Sequence, residues 1–439
     1  MYENKKILVL GAAKSGIEVC KLLANKNNDI TLSDINEIDK DAKEMLGNLG
    51  ISIVTGKNQL DLIDSSYDLI IKNPAIASTS PLIEKCKDLN IRVENEMEVA
   101  YHFLPKSVKI IGVTGSNGKT TTTTIIYEML KRCGFSVKLG GNIGFPLSQI
   151  LPTIEENDIV LLEISDHQLC DMYDFKTDIS VLTNISPTHL DYHGTYEAYK
   201  HTKSKIFNHH TEANVAIVNL ENADALSESE NILSQKFYFS SERKTDAYLE
   251  NDTLYVGNKA IININDIMLK GIHNYENILA ALLVLSRFTD NYDKVLDFLK
   301  TFGGVEHRME FVKRVNGVDY YNDSKSTNPT STITALKTFR LPINLILGGK
   351  ERNQDYHEID DYIKNVKKIY AIGETTDKVA DYAKEVNLPC SKCYTLIEAL
   401  KVIKEEAKEN EIVLLSPGSA SQDQYKRFEE RGEEFKNNI

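Results

Sequence analysis

The sequence predicts an α/β protein of three domains: an N-terminal Rossmann-like domain, a central P-loop ATPase-like domain and a C-terminal Rossmann-like α/β domain. Three observations predict it. From Lys6 onward, short β-branched runs alternate with stretches of helical spacing, the pattern of parallel strands joined by crossover helices. At the centre, the apolar run Lys109–Thr114 enters Gly115-Ser116-Asn117-Gly118-Lys119-Thr120-Thr121 and then a helix. Beyond Gly303-Gly304 the strand–helix alternation resumes. Breaks at Leu104-Pro105-Lys106-Ser107 and at Gly303-Gly304 place the domains at residues 1–105, 106–303 and 304–439.

In the first domain, Ile7 to Leu10 reads as a strand, followed by Gly11-Ala12-Ala13-Lys14-Ser15-Gly16 and a helix from Ile17 to Leu23. Ile30 to Asp34 is a second strand that ends in an acid. The pattern resembles a dinucleotide fingerprint with Ala13 in place of the middle glycine. Asp34 at the strand end serves either a ribose or uracil contact or the cap of the next helix. Ile70 to Ile76 reads as a strand running into a loop at the ligand edge of the sheet.

The central domain carries the clearest chemistry. Strand, glycine loop and helix make a phosphate cradle: the glycines let backbone N–H groups turn inward, and the helix N-terminus adds partial positive charge. Lys119 reaches the outer phosphates and the Thr120 hydroxyl can ligate Mg²⁺. The motif is the short form Gly-x-x-Gly-Lys-Thr, with Val113 where a longer loop has its first glycine. The helix follows with Ile125, Ile126, Met129 and Leu130 at helical spacing. Gly140-Gly141-Asn142-Ile143-Gly144 precedes the strand Ile159–Glu163. Glu163, closing that strand, is read as a magnesium partner or a helix cap.

A strand from Ile179 to Thr183 leads into Asn184-Ile185-Ser186-Pro187-Thr188-His189-Leu190-Asp191-Tyr192-His193-Gly194, read as a polar site or as plain loop chemistry. Lys200, Lys203 and Lys205 sit on the helix Tyr196–Phe207, where spacing alone reads them as a solvated face. Segments near Ala247, Thr253 and Ala260 read as a small antiparallel sheet to one side. Asn274 and Asn277 open the apolar helix that runs to Leu285, where capping competes with ligand contact.

In the last domain, Val305-Glu306-His307-Arg308-Met309-Glu310 precedes a strand pair. The dense polar loop Asn322-Asp323-Ser324-Lys325-Ser326-Thr327-Asn328-Pro329 follows, then a helix from near Thr330. Further strand–helix units include Leu345 to Lys350 and Ile412 to Ser416.

Composition excludes several classes. Apolar content of 41% and charged content of 26% over 439 residues are those of a globular protein. The formal net charge of −13 argues against a non-specific partner for nucleic acid or anionic membranes. No apolar run reaches the length of a membrane span and no leader pattern precedes the first strand, so a cytoplasmic location is expected. Of the six cysteines, only Cys390 and Cys393 have suggestive spacing; they read as two thiols near a strand or as a redox pair.

Taken together, these segments closely resemble the Mur ligase family of ATP-dependent amide-forming enzymes over essentially the whole chain. The Asn322–Pro329 loop, the ending Leu415-Ser416-Pro417-Gly418-Ser419-Ala420-Ser421, and Asp423-Gln424 with Phe428-Glu429-Glu430-Arg431-Gly432 resemble the D-glutamate-adding branch. The resemblance implies ATP-dependent addition of D-glutamate to UDP-N-acetylmuramoyl-L-alanine through an acyl phosphate, in a monomer. It implies that Gly115 to Thr121, Asn274, Asn277, Arg308, Asp323 and Lys325 contact ATP. Two Mg²⁺ ions would be held by Thr120, Glu163, His189 (directly or through water) and Lys203, the last as a CO₂-derived carbamate. Lys119, His189, Lys203 and Lys325 would be catalytic. Ser15, Asp34, Asn73 and Asn142 would face the UDP-sugar, and Thr327, Arg352, Ser421 and Phe428 the incoming amino acid. Three departures stand out: Ser165-Asp166-His167-Gln168 where the family often has Ser-Ser-Phe-Gln, Gln422 where a Leu is sometimes found, and Asn36 near a position that can be Arg.

Three competing readings make different demands. A folate-type polyglutamate ligase would lack the N-terminal UDP-binding domain and the Asp323-Ser324-Lys325 loop. A nicotinamide-dependent dehydrogenase would use Gly11 to Gly16, and a nucleotide-switch ATPase would hydrolyse ATP without amino-acid dependence.

Overall fold

The computed structural model describes residues 1–439, except the side chains of Asp191 and Thr334. The chain forms two compact units, Met1–Leu299 and Lys300–Ile439.

The first unit contains two sheets. The N-terminal sheet comprises β1 (Lys6–Leu10), β2 (Asp29–Asp34), β3 (Ser52–Thr55), β4 (Leu69–Lys72) and β5 (Arg92–Glu94), in the order β3-β2-β1-β4-β5. All its pairings are parallel. Strand order reverses between β1 and β4, so the loops after them, at Gly11 and Asn73, meet at the switch point where such sheets bind ligands. The first helix covers Lys14–Ala24, starting earlier than its apolar spacing indicates. Ala13 precedes it with no side-chain cap, and the Ile17 amide bonds back to the Ala13 carbonyl.

The second sheet has nine strands: β6 (Lys109–Thr114), β7 (Val137–Gly141), β8 (Ile159–Glu163), β9 (Ile179–Leu182), β10 (Val215–Asn219), β11 (Gln235–Ser240), β12 (Ala247–Glu250), β13 (Thr253–Val256) and β14 (Lys259–Asn263). Their order is β14-β13-β12-β11-β10-β9-β6-β8-β7. The antiparallel trio β12–β14 was expected as a separate side sheet. It instead continues the main sheet, because β12 pairs in parallel with β11 through Phe239 and Ser240. β6 lies between β8 and β9, buried by apolar side chains on both faces, and its C-terminal end points the phosphate loop between theirs. The helix Lys119–Arg132 buries Ile125, Ile126, Met129 and Leu130 and packs against the almost wholly buried helix Ile272–Leu285.

The second unit holds β15 (Glu310–Val315), β16 (Val318–Asn322), β17 (Ile343–Gly348), β18 (Val366–Ile372), β19 (Cys390–Tyr394) and β20 (Ile412–Leu415), in the order β15-β16-β20-β17-β18-β19. β16, β20, β17 and β18 run parallel, so the loops after Asn322, Gly348 and Leu415 emerge at one edge. Cys390 and Cys393 are both free thiols, and burial pushes both up, Cys393 to about 11. Neither carries the depressed thiol that a redox pair requires.

Candidate functional site

The phosphate loop is braced rather than loose. Its amides at Ser116 and Asn117 donate to the Asn184 carbonyl (2.8 Å) and side-chain oxygen (2.9 Å), and Thr183 Oγ1 donates to the Asn117 carbonyl at 2.6 Å. The strip after β9 therefore fixes the loop. Gly118 sits at φ +81° before the helix, a left-handed conformation that favours glycine. Lys119 Nζ folds back on the carbonyls of Gly115 (2.7 Å) and Ser116 (2.9 Å). Thr120 is buried and Thr121 half-buried at the start of the helix.

Asn274 and Asn277 do not cap their helix. Gly271 holds the cap position, Asn274 Nδ2 donates to the Lys270 carbonyl at 2.8 Å, and Asn277 Oδ1 accepts from Thr122 Oγ1 at 3.1 Å. Asn277 is thus brought against the phosphate-loop helix.

Glu163 is not a helix cap either, because Ser165 caps Asp166–Leu169 through a capping box with Gln168. Its Oε1 accepts from Asn142 Nδ2 at 2.8 Å, and its buried Oε2 has no hydrogen-bond partner among the described residues. A buried carboxylate oxygen without a donor is the atom a hard cation satisfies, so the residues present fit magnesium.

Around Asp166 the structure makes its largest change to the sequence reading. Lys203 does not belong to a solvated face: its side chain is 0% exposed. Its Nζ meets Asp166 Oδ1 at 3.2 Å, the Gly115 carbonyl at 3.0 Å and Thr114 Oγ1 at 3.4 Å. Asp166 Oδ2 also takes His189 Nδ1 at 3.0 Å and His193 Nε2 at 2.8 Å. Burial pushes the Asp166 carboxyl up, yet hydrogen bonds from the two histidines and the Lys203 charge outweigh it and hold the group far below the usual carboxylate range. Burial pushes Lys203 down, with Asp166 pulling the other way, and burial lowers the neighbouring His167 to about 4. With Nδ1 held by Asp166, the half-exposed His189 presents Nε2 outward. The sequence marked Asp166 only as a departure; its position three residues after Glu163 gives no sign that it gathers three side chains.

A cavity of about 670 Å³ lies at the switch point of the first sheet. It is lined by Ser15, Asn73, Asn142 and His189, four residues expected at the site, together with Asn95, Glu96, His167 and Gln168, which the sequence reading missed. Asn95 is a helix N-cap, and an Asn-Glu pair before a helix reads simply as a cap. Asp34 does not line this cavity. Its carboxylate accepts from the amides of Ala12 (2.7 Å) and Asn36 (2.8 Å), fixing the glycine turn, while Asp39 caps the next helix.

In the second unit, taken by itself, Arg308, Asp323, Lys325, Thr327, Arg352, Ser421 and Phe428 lie on loops or at a helix start beside the parallel edge. Asp323 is buried among Ser326, Ser416 and the Met309 amide, and burial pushes its carboxyl up to about 6. Lys325 is exposed, and Arg308 and Thr327 are half-buried. Ser421 Oγ is buried without a hydrogen-bond partner among the described residues, and Arg352 Nη2 donates to Gln422 Oε1 at 3.2 Å. Arg431 was quoted in the sequence only as part of a pattern. It is fully buried and donates to Ser324 Oγ (3.0 Å) and to the carbonyls of Ser324 (2.9 Å), Ser419 (3.1 Å) and Ala420 (3.4 Å).

The phosphate loop at the end of a central parallel strand, the carboxylate on the adjoining strand and the cavity beside them define a nucleotide-using α/β enzyme. Family models agree: residues 113–285 match the Mur ligase middle domain, and residues 307–418 match the Mur ligase glutamate ligase domain. A relative from Exiguobacterium sibiricum named UDP-N-acetylmuramoylalanine--D-glutamate ligase is 39% identical over 99% of this chain and 96% of its own. One of the same name from Geobacillus kaustophilus is 38% identical over 100% and 98%. Among solved structures, the UDP-N-acetylmuramate-alanine ligase MurC of Thermotoga maritima shares the fold at TM-score 0.58 and 20% identity, covering 98% of both chains. The MurF ligase of Thermotoga maritima, solved in complex with ADP, shares it at TM-score 0.56 and 18% identity, covering 99% of this chain and 95% of its own. The chain belongs to the Mur ligase family.

Proposed function

We propose that this chain joins D-glutamate to UDP-N-acetylmuramoyl-L-alanine using ATP, a step of peptidoglycan precursor synthesis, and works as a cytoplasmic monomer with domains 1–105, 106–303 and 304–439. The observation that carries the reading is the end-to-end match to relatives of that name, 39% identical over 435 residues. No described helix is long and apolar enough to cross a membrane.

Forming an amide from a carboxylate needs activation. A carboxylate oxygen of the UDP-sugar substrate attacks the γ-phosphorus of ATP, the bond to ADP breaks, and an acyl phosphate forms. The D-glutamate amine attacks the acyl carbon, gives up a proton, and the C–O bond to phosphate breaks. Lys119 and the N-terminus of the helix that begins after Gly118 neutralise and orient the phosphates, the Ser116 and Asn117 amides, spent on Asn184, hold the loop in shape, and Asn277 meets Thr122 on that helix. Ser15, Asn73 and Asn142 line the cavity that takes the UDP-sugar. Within the second unit, the family resemblance assigns Arg308, Asp323 and Lys325 to ATP, and Thr327, Arg352, Ser421 and Phe428 to the amino acid. Thr120, Glu163 and His189 are the residues that would hold magnesium, which neutralises the triphosphate and polarises its γ-phosphoryl group.

The test is phosphate release by the purified chain with ATP, Mg²⁺ and UDP-N-acetylmuramoyl-L-alanine, offered one amino acid at a time. Release that needs both the UDP-sugar and D-glutamate, with the matching product mass, is expected. Release independent of any amino acid would support the nucleotide-switch reading instead, and release with a different amino acid would move the specificity.

A further inference from the structure

We propose that Tyr192 is a positioning residue of the reaction: its hydroxyl ties the histidine loop to the chain after β4, and so holds His189 and the wall of the UDP-sugar cavity in one register. The inference rests on the ligase reading for what the cavity binds; the tie itself is read from the geometry of the first unit.

Tyr192 connects two places. It lines the cavity, and its ring meets that of His167 edge to face, with centroids 4.0 Å apart. Its hydroxyl lies 2.9 Å from the Pro74 carbonyl and 3.1 Å from the Ile76 carbonyl, which share its one hydrogen. Asn73, Pro74 and Ala75 line the same cavity. At the other end, the Tyr192 amide donates to the His189 carbonyl at 3.1 Å, closing the turn that opens the helix Leu190–His193. His189 stands at φ +52°, a left-handed backbone that a residue with a side chain seldom takes without support. Tyr192 is thus bonded at one end to the residue that would hold magnesium and at the other to the loop that would hold the sugar.

The tie is anchored from behind. Lys72, the last residue of β4, is buried, and its side chain is 0% exposed. Its Nζ donates to the Ile76 carbonyl at 2.6 Å and to the Tyr192 hydroxyl at 3.2 Å, and pairs with Asp171 Oδ2 at 2.7 Å. A lysine has three hydrogens to give, and three oxygens face it. Asp171 follows the helix Asp166–Leu169, so residues 72–76, 166–171 and 189–193 meet at this one point. An apolar contact would join three segments without the cost of burying an ion pair. The polar one adds direction, since each bond fixes an angle as well as a distance.

Direction matters because the reaction joins two sites. The carboxylate carried by the UDP-sugar must meet the γ-phosphorus of ATP, and a misplacement of about 1 Å can cost roughly 10²-fold in rate. Residues 73–75 form part of the wall against which the sugar lies, and the turn from His189 to Tyr192 belongs to the side where phosphate is transferred. The Tyr192 hydroxyl spans the two.

The test is Tyr192→Phe in the full-length protein, which removes one oxygen and keeps the ring against His167. Steady-state kinetics with ATP and the UDP-sugar varied in turn, calorimetric binding of UDP and a melting curve are measured together. The expected result is a fall in kcat of about tenfold or more, with UDP affinity and KM for ATP within about threefold of the unaltered chain: each site is kept and their register is lost. Replacing Tyr192 with 4-aminophenylalanine, which restores a donor at the same place, should recover most of the lost kcat. Wild-type kcat in Tyr192→Phe, an equal loss in kcat, UDP binding and KM for ATP, or no recovery with the amino variant would overturn the proposal. A Tyr192→Phe protein that does not fold would overturn it as well, since the hydroxyl would then serve the fold. Absence of D-glutamate-dependent phosphate release from the unaltered chain would instead count against the ligase reading.

Discussion

The side-chain oxygen of Asn277 lies 2.3 Å from the point where a β-carbon on Gly118 would stand. Two constraints therefore meet at one residue: a left-handed backbone at φ +81° and no room for a methyl group. Gly118→Ala must either leave that conformation or push Asn277 off Thr122. Both outcomes move the amides that would cradle phosphate. The expected result is a loss of roughly 10²-fold or more in kcat/KM for ATP, because misplaced donors no longer match the transferring group. Calorimetric ATP binding alongside a melting curve checks it; unchanged ATP affinity would show that this loop does not hold phosphate.

Lys119→Ala should lower kcat by about 10³-fold or more while leaving the melting temperature near that of the wild type. Its ammonium bonds the Gly115 and Ser116 carbonyls of its own loop, so its removal takes charge from the phosphate site. Single-turnover phosphate release measures the first effect and thermal unfolding the second. Near-normal turnover would sink the assignment of the loop.

Much of this was legible in the chain, for identifiable reasons. Period and glycine punctuation give the strands at Lys109–Thr114 and Ile159–Glu163, because buried parallel strands read as unbroken apolar runs. The glycine loop reads directly because its geometry demands glycine. What did not read were contacts made across sequence distance. Lys203 looks like a surface lysine on a polar helix, and its burial depends on Asp166, Gly115 and Thr114 from two other segments. The β12–β14 trio has the alternation of a free-standing meander, and one parallel pairing to β11 decides otherwise. Arg431 reads only as part of the Phe428–Gly432 pattern, with nothing to mark its burial, since arginines are mostly solvated and this one is held by carbonyls from other loops.

Glu163→Gln should raise the Mg²⁺ concentration for half-maximal activity by about tenfold or more, since a carboxylate ligand to a hard cation is replaced by a neutral amide. Without magnesium the same variant should be at least as stable as the wild type. Its buried Oε2 finds no hydrogen-bond donor among the described residues, so removing the charge removes a desolvation cost. Mn²⁺ binding followed by electron paramagnetic resonance separates the two effects. Unchanged metal affinity would remove Glu163 from the ligand set.

Glu96 gives a pH prediction. Burial pushes its carboxyl from the ordinary 4.5 to about 7, partly offset by hydrogen bonding at Ser148. Between those values the native chain keeps a proton that the unfolded chain has released. Its contribution to stability therefore falls as pH rises from about 4.5 to about 7 and is level above that. A glutamine in its place does not titrate. The stability of the Glu96→Gln variant relative to wild type should thus climb across this window by about 1–3 kcal/mol and then plateau. Denaturant unfolding at pH 5 and pH 8 checks it, and a difference that shrinks with rising pH would contradict the protonated state.

Arg431 ties the Ser324 loop to the Ser419-Ala420 loop within the second unit. Burial lowers it to about 10, so it keeps its charge at neutral pH. Gly349 belongs to the same arrangement: a β-carbon there would fall 2.4 Å from the Ala420 carbonyl oxygen and 3.1 Å from Arg431 Nη1. Arg431→Met would leave the buried carbonyls of Ser324 and Ser419 short of a donor, the Ala420 carbonyl keeping the Lys350 amide, and should cost about 3–5 kcal/mol of stability. Arg431→Lys keeps the charge but loses the planar fork. If these loops receive the amino acid, the lysine variant should raise KM for D-glutamate by about tenfold while KM for the UDP-sugar stays within about twofold. Steady-state kinetics with each substrate varied in turn makes the distinction. A uniform rise in every KM would mean that Arg431 only supports the fold.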